Sequence, residues 1–347
     1  MTAPTIPVQD SELLAAQGPT SRPKRASRHP VASLVVRRVL GGMVVLILVS
    51  AMVFVATQAL PGDAARAILG KDATPARVAA LRQQLGLDQP LLAQYVSWLG
   101  RLLRGDLGTS LASGQSVGAM LAAPVRNSAV LVGLSAMISL PLALVSGMWL
   151  ALRRGRRAER AASSLMLALA SLPEFVVGVA VIMIFATGVF HWLPAVSIIG
   201  EGQTPASNPR VLVLPTLTIV ILVVPYVSRM VRAAMADVLD SDFVEMARLK
   251  GVPERTVIFR HALPNAMAPI AQVFALVLAV IAGGSVVVET LFAYPGVGLA
   301  LVSAVRLRDL PVIQVLTLGV GALYIFLSIT ADIASLAFTP RARTSAR

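Results

Sequence analysis

Residue types that do chemistry are sparse in this chain and lie far apart. Glu174 is the one charge in the run from 161 to 190, and it follows Pro173. A carboxylate at such depth is costly and usually faces a cavity or a partner. Here it would line a passage and meet an amino group or a cation, hydrogen-bond to backbone freed by Pro173, or reach water near the end of the run. Glu289 and Asp332 fall at the ends of apolar runs, where a solvated or ion-paired role is expected. His29, His191 and His261 are too scattered to suggest a metal site. The chain has no cysteine, which removes disulfides, thiolate metal sites and cysteine nucleophiles. It also has no Gly-x-x-x-x-Gly-Lys-Ser/Thr phosphate loop, so ATP hydrolysis is not expected of this polypeptide.

Polar residues concentrate instead in residues 229–261, in the stretch Glu245-Met-Ala-Arg-Leu-Lys-Gly251 followed by His261-Ala-Leu-Pro264. Asp242 and Glu245, three apart, have the spacing of a capping box, which predicts a short helix starting near Phe243. Gly251 suits a left-handed terminator, and Lys250 in the last turn complements the helix dipole. Pro253 then opens a second helix that runs through Arg255 and Arg260 into the next apolar run. Phe243, Met246 and Ala247 share one side of the short helix, with Glu245 and Arg248 at its flank. A helix of this size can seat in a partner's groove as a rigid plug, or lie on lipid headgroups. Periodicity alone leaves both open.

The elements around these residues are built for a bilayer. Of 347 residues 56% are hydrophobic and 14% charged, with a mean hydropathy of +0.78, more apolar side chain than a soluble domain buries. Runs long enough to cross occur at 39–60, 127–152, 211–228, 262–288 and 310–331, and the interrupted run 161–190 makes a sixth. The reading is an all-α integral membrane protein with six spans. Of the 30 Lys and Arg, 20 fall in the tail up to Arg38, in 153–160, in 229–260 and at the C-terminus. That bias makes these segments, and both termini, cytoplasmic. The net charge of +13 is thus mostly topology, and a nucleic-acid role is the poorer reading because the cations are spread over several loops. The first span follows a long polar stretch without a cleavage site, so it reads as a retained signal anchor. Residues 1–36 are expected to be a disordered basic cytoplasmic tail, 37–340 the transmembrane domain and 341–347 a second tail.

Residues 61–126 form the longest polar segment, placed outside the cytoplasm. Thr74-Pro75 opens a helix closed by Gly86, and Leu91 to Leu103 forms another with Leu92, Tyr95, Val96, Leu99, Leu102 and Leu103 near one face. That face would rest on the membrane or on neighbouring helices. Pro173, Pro215, Pro225, Pro264 and Pro269, with Gly283-Gly284, interrupt the spans, which is tolerable where protein or a water-filled cavity covers the freed carbonyls. They suggest a bundle with a pathway.

The loop resembles the signature of bacterial ATP-binding cassette importer membrane subunits: Glu-Ala-Ala, three residues, Gly, nine residues, then x-x-Leu-Pro. Here Met246 replaces the middle Ala, and His261 stands where many relatives have Ile. The likeness narrows to the dipeptide, oligopeptide and nickel permease branch through Leu60-Pro-Gly-Asp63, Leu85-Gly-Leu-Asp-Gln-Pro90, Gln94-Tyr95, Gly105-Asp-Leu-Gly108, Val288-Glu-Thr-Leu-Phe292, Pro295-Gly-Val-Gly298, Arg308-Asp-Leu-Pro311 and Asp332. The resemblance implies a type I-like permease fold in the bacterial inner membrane. It implies a second related permease, two cytoplasmic ATPases that hold the ATP and Mg, an extracytoplasmic solute-binding protein, and no cofactor on this chain. The 243–251 helix would then couple the ATPases to import of di- or oligopeptides, or of a small solute such as nickel. An ion-gradient-driven secondary transporter would show an inverted repeat, and the two halves show no obvious self-similarity. An intramembrane hydrolase would need a partner for Glu174, and no His or Asp companion is evident on neighbouring spans.

Overall fold

The computed structural model describes residues 30–58, 74–85, 88–200 and 202–338, and within them the chain is helical without strands. In order these are α1 (Pro30–Gln58), α2 (Pro75–Leu85), α3 (Leu91–Leu103), α4 (Val117–Leu152), α5 (Arg157–Ala170), α6 (Glu174–Ile182), α7 (Arg210–Leu239), α8 (Asp242–Leu249), α9 (Glu254–Thr256), α10 (Leu263–Leu291), α11 (Val297–Leu307) and α12 (Leu310–Phe338). Five helices are long and apolar enough to cross a membrane, and α5 with α6 makes a sixth, bent by 98°. The expected third span, 161–190, is therefore two helices meeting at Ser171, Leu172 and Pro173. Pro173 is the N-cap of α6 in an extended conformation (ψ 144°), a geometry that prevents one helix from continuing through it. α6 ends in a π-helical turn, Met183–Thr187.

Other boundaries move too. α4 begins at Val117, ten residues before the apolar run at 127, and at 36 residues is about 54 Å long, well beyond a hydrocarbon core of about 30 Å. Residues 30–36, expected in a disordered tail, are the first turns of α1. The rest of that tail, the C-terminal tail, Leu60-Pro-Gly-Asp63 and Gly86 lie outside the described residues. Pro75 and Leu85 bound α2, and Leu91 and Leu103 bound α3, as the caps and periodicity predict.

α7 is the central post. Over its most apolar window 56% of the residues are buried, against 17% for α1 at the periphery. α4, α5, α6 and α10 all pack on α7, and α12 packs on α10 and α1. The core they share includes Leu131, Leu214, Val227, Val231, Met235 and Ile270, all fully buried. Small residues set the close approaches, as expected where lipid supplies no hydrophobic drive between helices. Gly147 lets α4 meet α7, since a β-carbon there would stand 2.6 Å from the Ser228 carbonyl oxygen. One turn of packing beside it, the Ser146 and Ser228 hydroxyls share a 2.6 Å hydrogen bond across the same contact.

Candidate functional site

The charged loop between α7 and α10 folds into a compact platform at one end of the bundle. Ser241, not Asp242, is the N-cap of α8, with φ −82° and ψ 148°. Its carbonyl accepts from the backbone N–H groups of Val244 and Glu245, while its hydroxyl donates back to the Val238 carbonyl. The expected capping box is therefore absent. Asp242 already has helical geometry, so it stands one position too late to cap, and no side-chain cap bond forms. Asp242 and Glu245 remain in the first turn, where negative charge suits the helix dipole.

The other end behaves as the sequence predicts. Gly251 has φ +76°, its N–H reaches the Arg248 carbonyl at 2.9 Å, and the Val252 N–H reaches the Ala247 carbonyl at 3.2 Å. This pair of bonds is a Schellman terminator, and it turns the chain sharply into Pro253. Pro253 is the N-cap of α9 rather than its first residue, with its carbonyl accepting from Thr256 and Val257. Arg248 forks onto Glu254 across the turn, Nη2 to Oε1 at 2.8 Å and Nε to Oε2 at 3.2 Å, locking α8 to α9. The hydrogen bond to Glu254 also raises the Arg248 guanidinium above its ordinary value, so its charge is permanent.

From α9 the chain passes through a π-helical segment, Val257–Ala262, into α10. Pro264 sits in the first turn of α10, where it lacks an N–H to donate, and the Asn265 side-chain nitrogen donates to the His261 carbonyl at 2.6 Å. His261 thus serves the helix through its backbone. The loop is anchored by Val244, Val257 and Ala262, all fully buried, which leaves its other face open. Phe243 (48% exposed), Met246 (52%) and Leu249 (75%) project from α8 at three-residue spacing, whereas Ala247 is half-buried. Beside them Arg255, Thr256, Phe259 and Arg260 line an open hollow of about 430 Å³. The result is a short rigid helix that offers apolar knobs next to a cationic hollow.

Two ion pairs that sequence reasoning missed link the spans beside this platform. Arg232 Nη2 lies 2.7 Å from Glu159 Oε1, linking α7 to α5, with Ser163 donating to the same oxygen and Glu159 buried. Arg154 reaches Asp240 at 2.5 Å just before α8. Nothing in spacing pairs residues more than 70 positions apart; the only signal is a Glu and an Arg near the same end of neighbouring spans.

At the opposite end a buried polar cluster overturns the expectation for Glu289. It is fully buried and makes no ion pair among the described residues: Ser128 donates to Oε1 at 2.6 Å, Ser285 to Oε1 at 3.1 Å and the Gly298 N–H to Oε2 at 2.6 Å. The chain turns back after α10, so that α11 closes over the carboxylate and supplies backbone donors. Asn127 donates to the Pro295 carbonyl at 2.8 Å and the Tyr294 hydroxyl donates to the Asn127 carbonyl at 2.6 Å. Burial, with the nearby Glu289 charge, pushes the Tyr294 phenol up, so it stays protonated as that donor. Asp309 accepts from the Ser110 hydroxyl and, at 3.0 Å, from the Leu111 N–H. The motifs around 288–298 and 308–311 thus stitch α4, α10 and α11 together. Asp332 is ion-paired, as expected, with Arg38 at 3.0 Å.

Glu174 is the first residue of α6, half-buried at the bend, and no hydrogen bond or ion pair holds it among the described residues. The expected bond to backbone freed by Pro173 is absent among the described residues; the Leu169 carbonyl, which a proline at 173 leaves without its usual donor, accepts from the Leu172 N–H at 3.2 Å. Neither Glu159 nor Glu289 shares its surroundings, and no group of His, Asp and Glu among the described residues could hold a metal ion.

The sequence matches the family described as binding-protein-dependent transport system inner membrane component over residues 143–344, and the N-terminal part of that component over 31–126. It is 33% identical over 313 residues to a putative peptide transport system permease protein of Brucella abortus, covering 90% of this chain and 99% of the relative. It is 35% identical over 309 residues to a glutathione transport system permease protein of Salmonella choleraesuis, covering 89% and 98%. A probable peptide ABC transporter permease protein of Sinorhizobium fredii is 33% identical over 309 residues.

Proposed function

This chain belongs to the family of binding-protein-dependent transport system inner membrane components, and from that premise we propose how it works. It is a multi-pass membrane protein, the permease subunit of an ATP-binding cassette importer of peptides, and it acts with ATPase and solute-binding partners. Its solutes are di- or oligopeptides; the relatives are named for peptides and for glutathione, itself a small peptide. The assembly comprises a second permease, two cytoplasmic ATPases that hold ATP and Mg, and an extracytoplasmic binding protein. Both termini face the cytoplasm, on the same side as α8.

In this reading α8 is the element through which the ATPases move the spans. One observation carries it: an eight-residue helix, fixed from below by Val244 and closed at Gly251, shows three large apolar side chains to the outside. A rigid knob seated in a cleft transmits displacement, which a mobile loop would absorb. Coupling requires that the cleft bind α8 differently in two states, because a contact of equal strength in both shifts nothing. Glu159–Arg232 and Arg154–Asp240 pass motion of α8 to α5 and α7. Glu174, at the bend of α5 and α6 and free of a protein partner among the described residues, lines the passage and meets the peptide's amino group.

The test is purification of the tagged chain with its companions, followed by reconstitution. Expected are a second permease and an ATPase in fixed stoichiometry, and peptide uptake that requires ATP and survives collapse of ion gradients. Recovery of the chain alone, with gradient-driven uptake, overturns the proposal in favour of a secondary transporter.

A further inference from the structure

We infer that α3 is an interfacial helix embedded in the outer lipid leaflet, the one on the side of the membrane opposite α8, with acyl chains covering its open apolar face. α1 and α12 provide a ruler for depth. They run antiparallel and are pinned at both ends: Arg38 to Asp332 at 3.0 Å, and the Gln314 amide to the Thr57 hydroxyl at 2.9 Å. Nineteen residues of α1 and eighteen of α12 separate these pins, about 28 Å of helix rise against a hydrocarbon core of about 30 Å. The pins therefore mark the two boundaries of the bilayer, with Thr57 at the outer one.

α3 docks below that boundary. The Tyr95 hydroxyl shares a 2.7 Å hydrogen bond with the Ser50 hydroxyl, seven residues before Thr57 and hence about 10 Å deep. Phe54, about 4 Å deep on the same scale, stacks edge-on with Tyr95 at 5.5 Å and packs on Trp98 at 5.7 Å. An aromatic trio at this level anchors a segment at the headgroup boundary, where an interfacial helix buries its apolar face about 5–10 Å.

The orientation of α3 divides its surface in three. Tyr95 and Trp98 face α1, with Leu102 on the same side at about 100° per residue, and Leu92, Val96 and Leu103 fall within about 40° of one another on the adjoining side. These last three are 73%, 60% and 80% exposed. Gln94, Ser97 and Arg101 form the remaining polar arc. On the side of α1 turned away from Ser50 and Phe54, Leu48, Met52 and Val55 are also open over the same range of depth. Charge and hydropathy thus match a bilayer boundary: polar arc to headgroups and water, apolar arc to chains.

The absence of native cysteine makes the test direct. Leu92→Cys, Val96→Cys, Ser97→Cys and Arg101→Cys are each spin-labelled in the full chain, with whatever subunits co-purify, and reconstituted into phosphatidylethanolamine and phosphatidylglycerol vesicles. The unsubstituted preparation is the blank. At Leu92 and Val96 collisions with oxygen should be frequent and those with a water-soluble nickel chelate about tenfold rarer than at Ser97 and Arg101, since a polar chelate is excluded from hydrocarbon. Frequent nickel collisions at Leu92 and Val96 would place the face in water. Low collision rates with both probes would mean that protein covers it. Either result overturns the inference, and neither depends on what the transporter carries.

Discussion

Gly251 holds φ +76° with open space where a β-carbon would go, so a substitution there meets no steric neighbour and acts through the backbone alone. A β-branched residue in this region costs about 1–2 kcal/mol, enough to unseat a two-bond terminator without unfolding a six-span bundle. Gly251→Val is expected to insert and assemble normally but to lose most peptide uptake while ATP hydrolysis continues; unchanged uptake would exclude α8 from coupling. Glu289 presents the opposite case, a carboxylate held entirely by the fold. Glu289→Ala strands the Ser128 and Ser285 hydroxyls and the Gly298 N–H, each worth about 1–3 kcal/mol when left without an acceptor. A drop of several degrees in the melting temperature of the detergent-solubilised protein is expected, with Glu289→Gln in between. Glu174→Gln should leave that melting temperature unchanged, since no bond among the described residues is lost, and should lower uptake. The Gly251 turn could be read from sequence because only a residue without a β-carbon is at ease there. The role of Glu289 could not, because beyond Ser285 one turn before it, its contacts come from Ser128 and Gly298 on other helices, which only folding brings to it.

At the level of elements, two ion pairs near α8 look alike on paper and differ in weight. Arg248–Glu254 is exposed on both sides, so despite its forked geometry it contributes less than about 1 kcal/mol. Glu159 is buried beneath Arg232, which is itself a third exposed. Removing Arg232 leaves a buried charge without its partner, at the lower end of about 3–5 kcal/mol. Arg248→Ala is accordingly expected to reduce uptake little, whereas Arg232→Ala should lower both thermal stability and uptake sharply, with partial rescue by Arg232→Lys. Comparable loss in the two variants, measured by melting and uptake together, would contradict this ranking. The helices themselves were legible where Pro or Gly punctuates them, as at Pro75 and Gly251, or where an apolar face repeats, as over 91–103. The break at Pro173 was not, because Pro is common in membrane spans and a kink, a bend of 98° and a straight crossing share one sequence pattern.

Across the whole molecule, α1 and α12 form one antiparallel plate, with Gly42 letting α1 close on Ile325 about one turn from the Arg38 pin. α7 is the post against which α4, α5, α6 and α10 pack. If the plate moves as a unit during transport, a short bismaleimide joining Thr57→Cys to Gln314→Cys in this cysteine-free chain should cross-link fully and preserve uptake. Loss of uptake on cross-linking, with full activity before it, would show that α1 and α12 must slide.

The sequence by itself determined that the chain lives in a bilayer, roughly where it crosses, and which loop carries the short helix closed at Gly251. Those properties follow from local composition and from residues such as Gly251 and Pro253 whose backbone preferences act within one turn. Tertiary structure alone decided which charges are paired, which glycines are contacts, where the third span breaks and how deep α3 lies. Each of these depends on residues distant in sequence, Ser128 with Glu289, Glu159 with Arg232, Ser50 with Tyr95, and no local periodicity encodes which partner a helix face will meet.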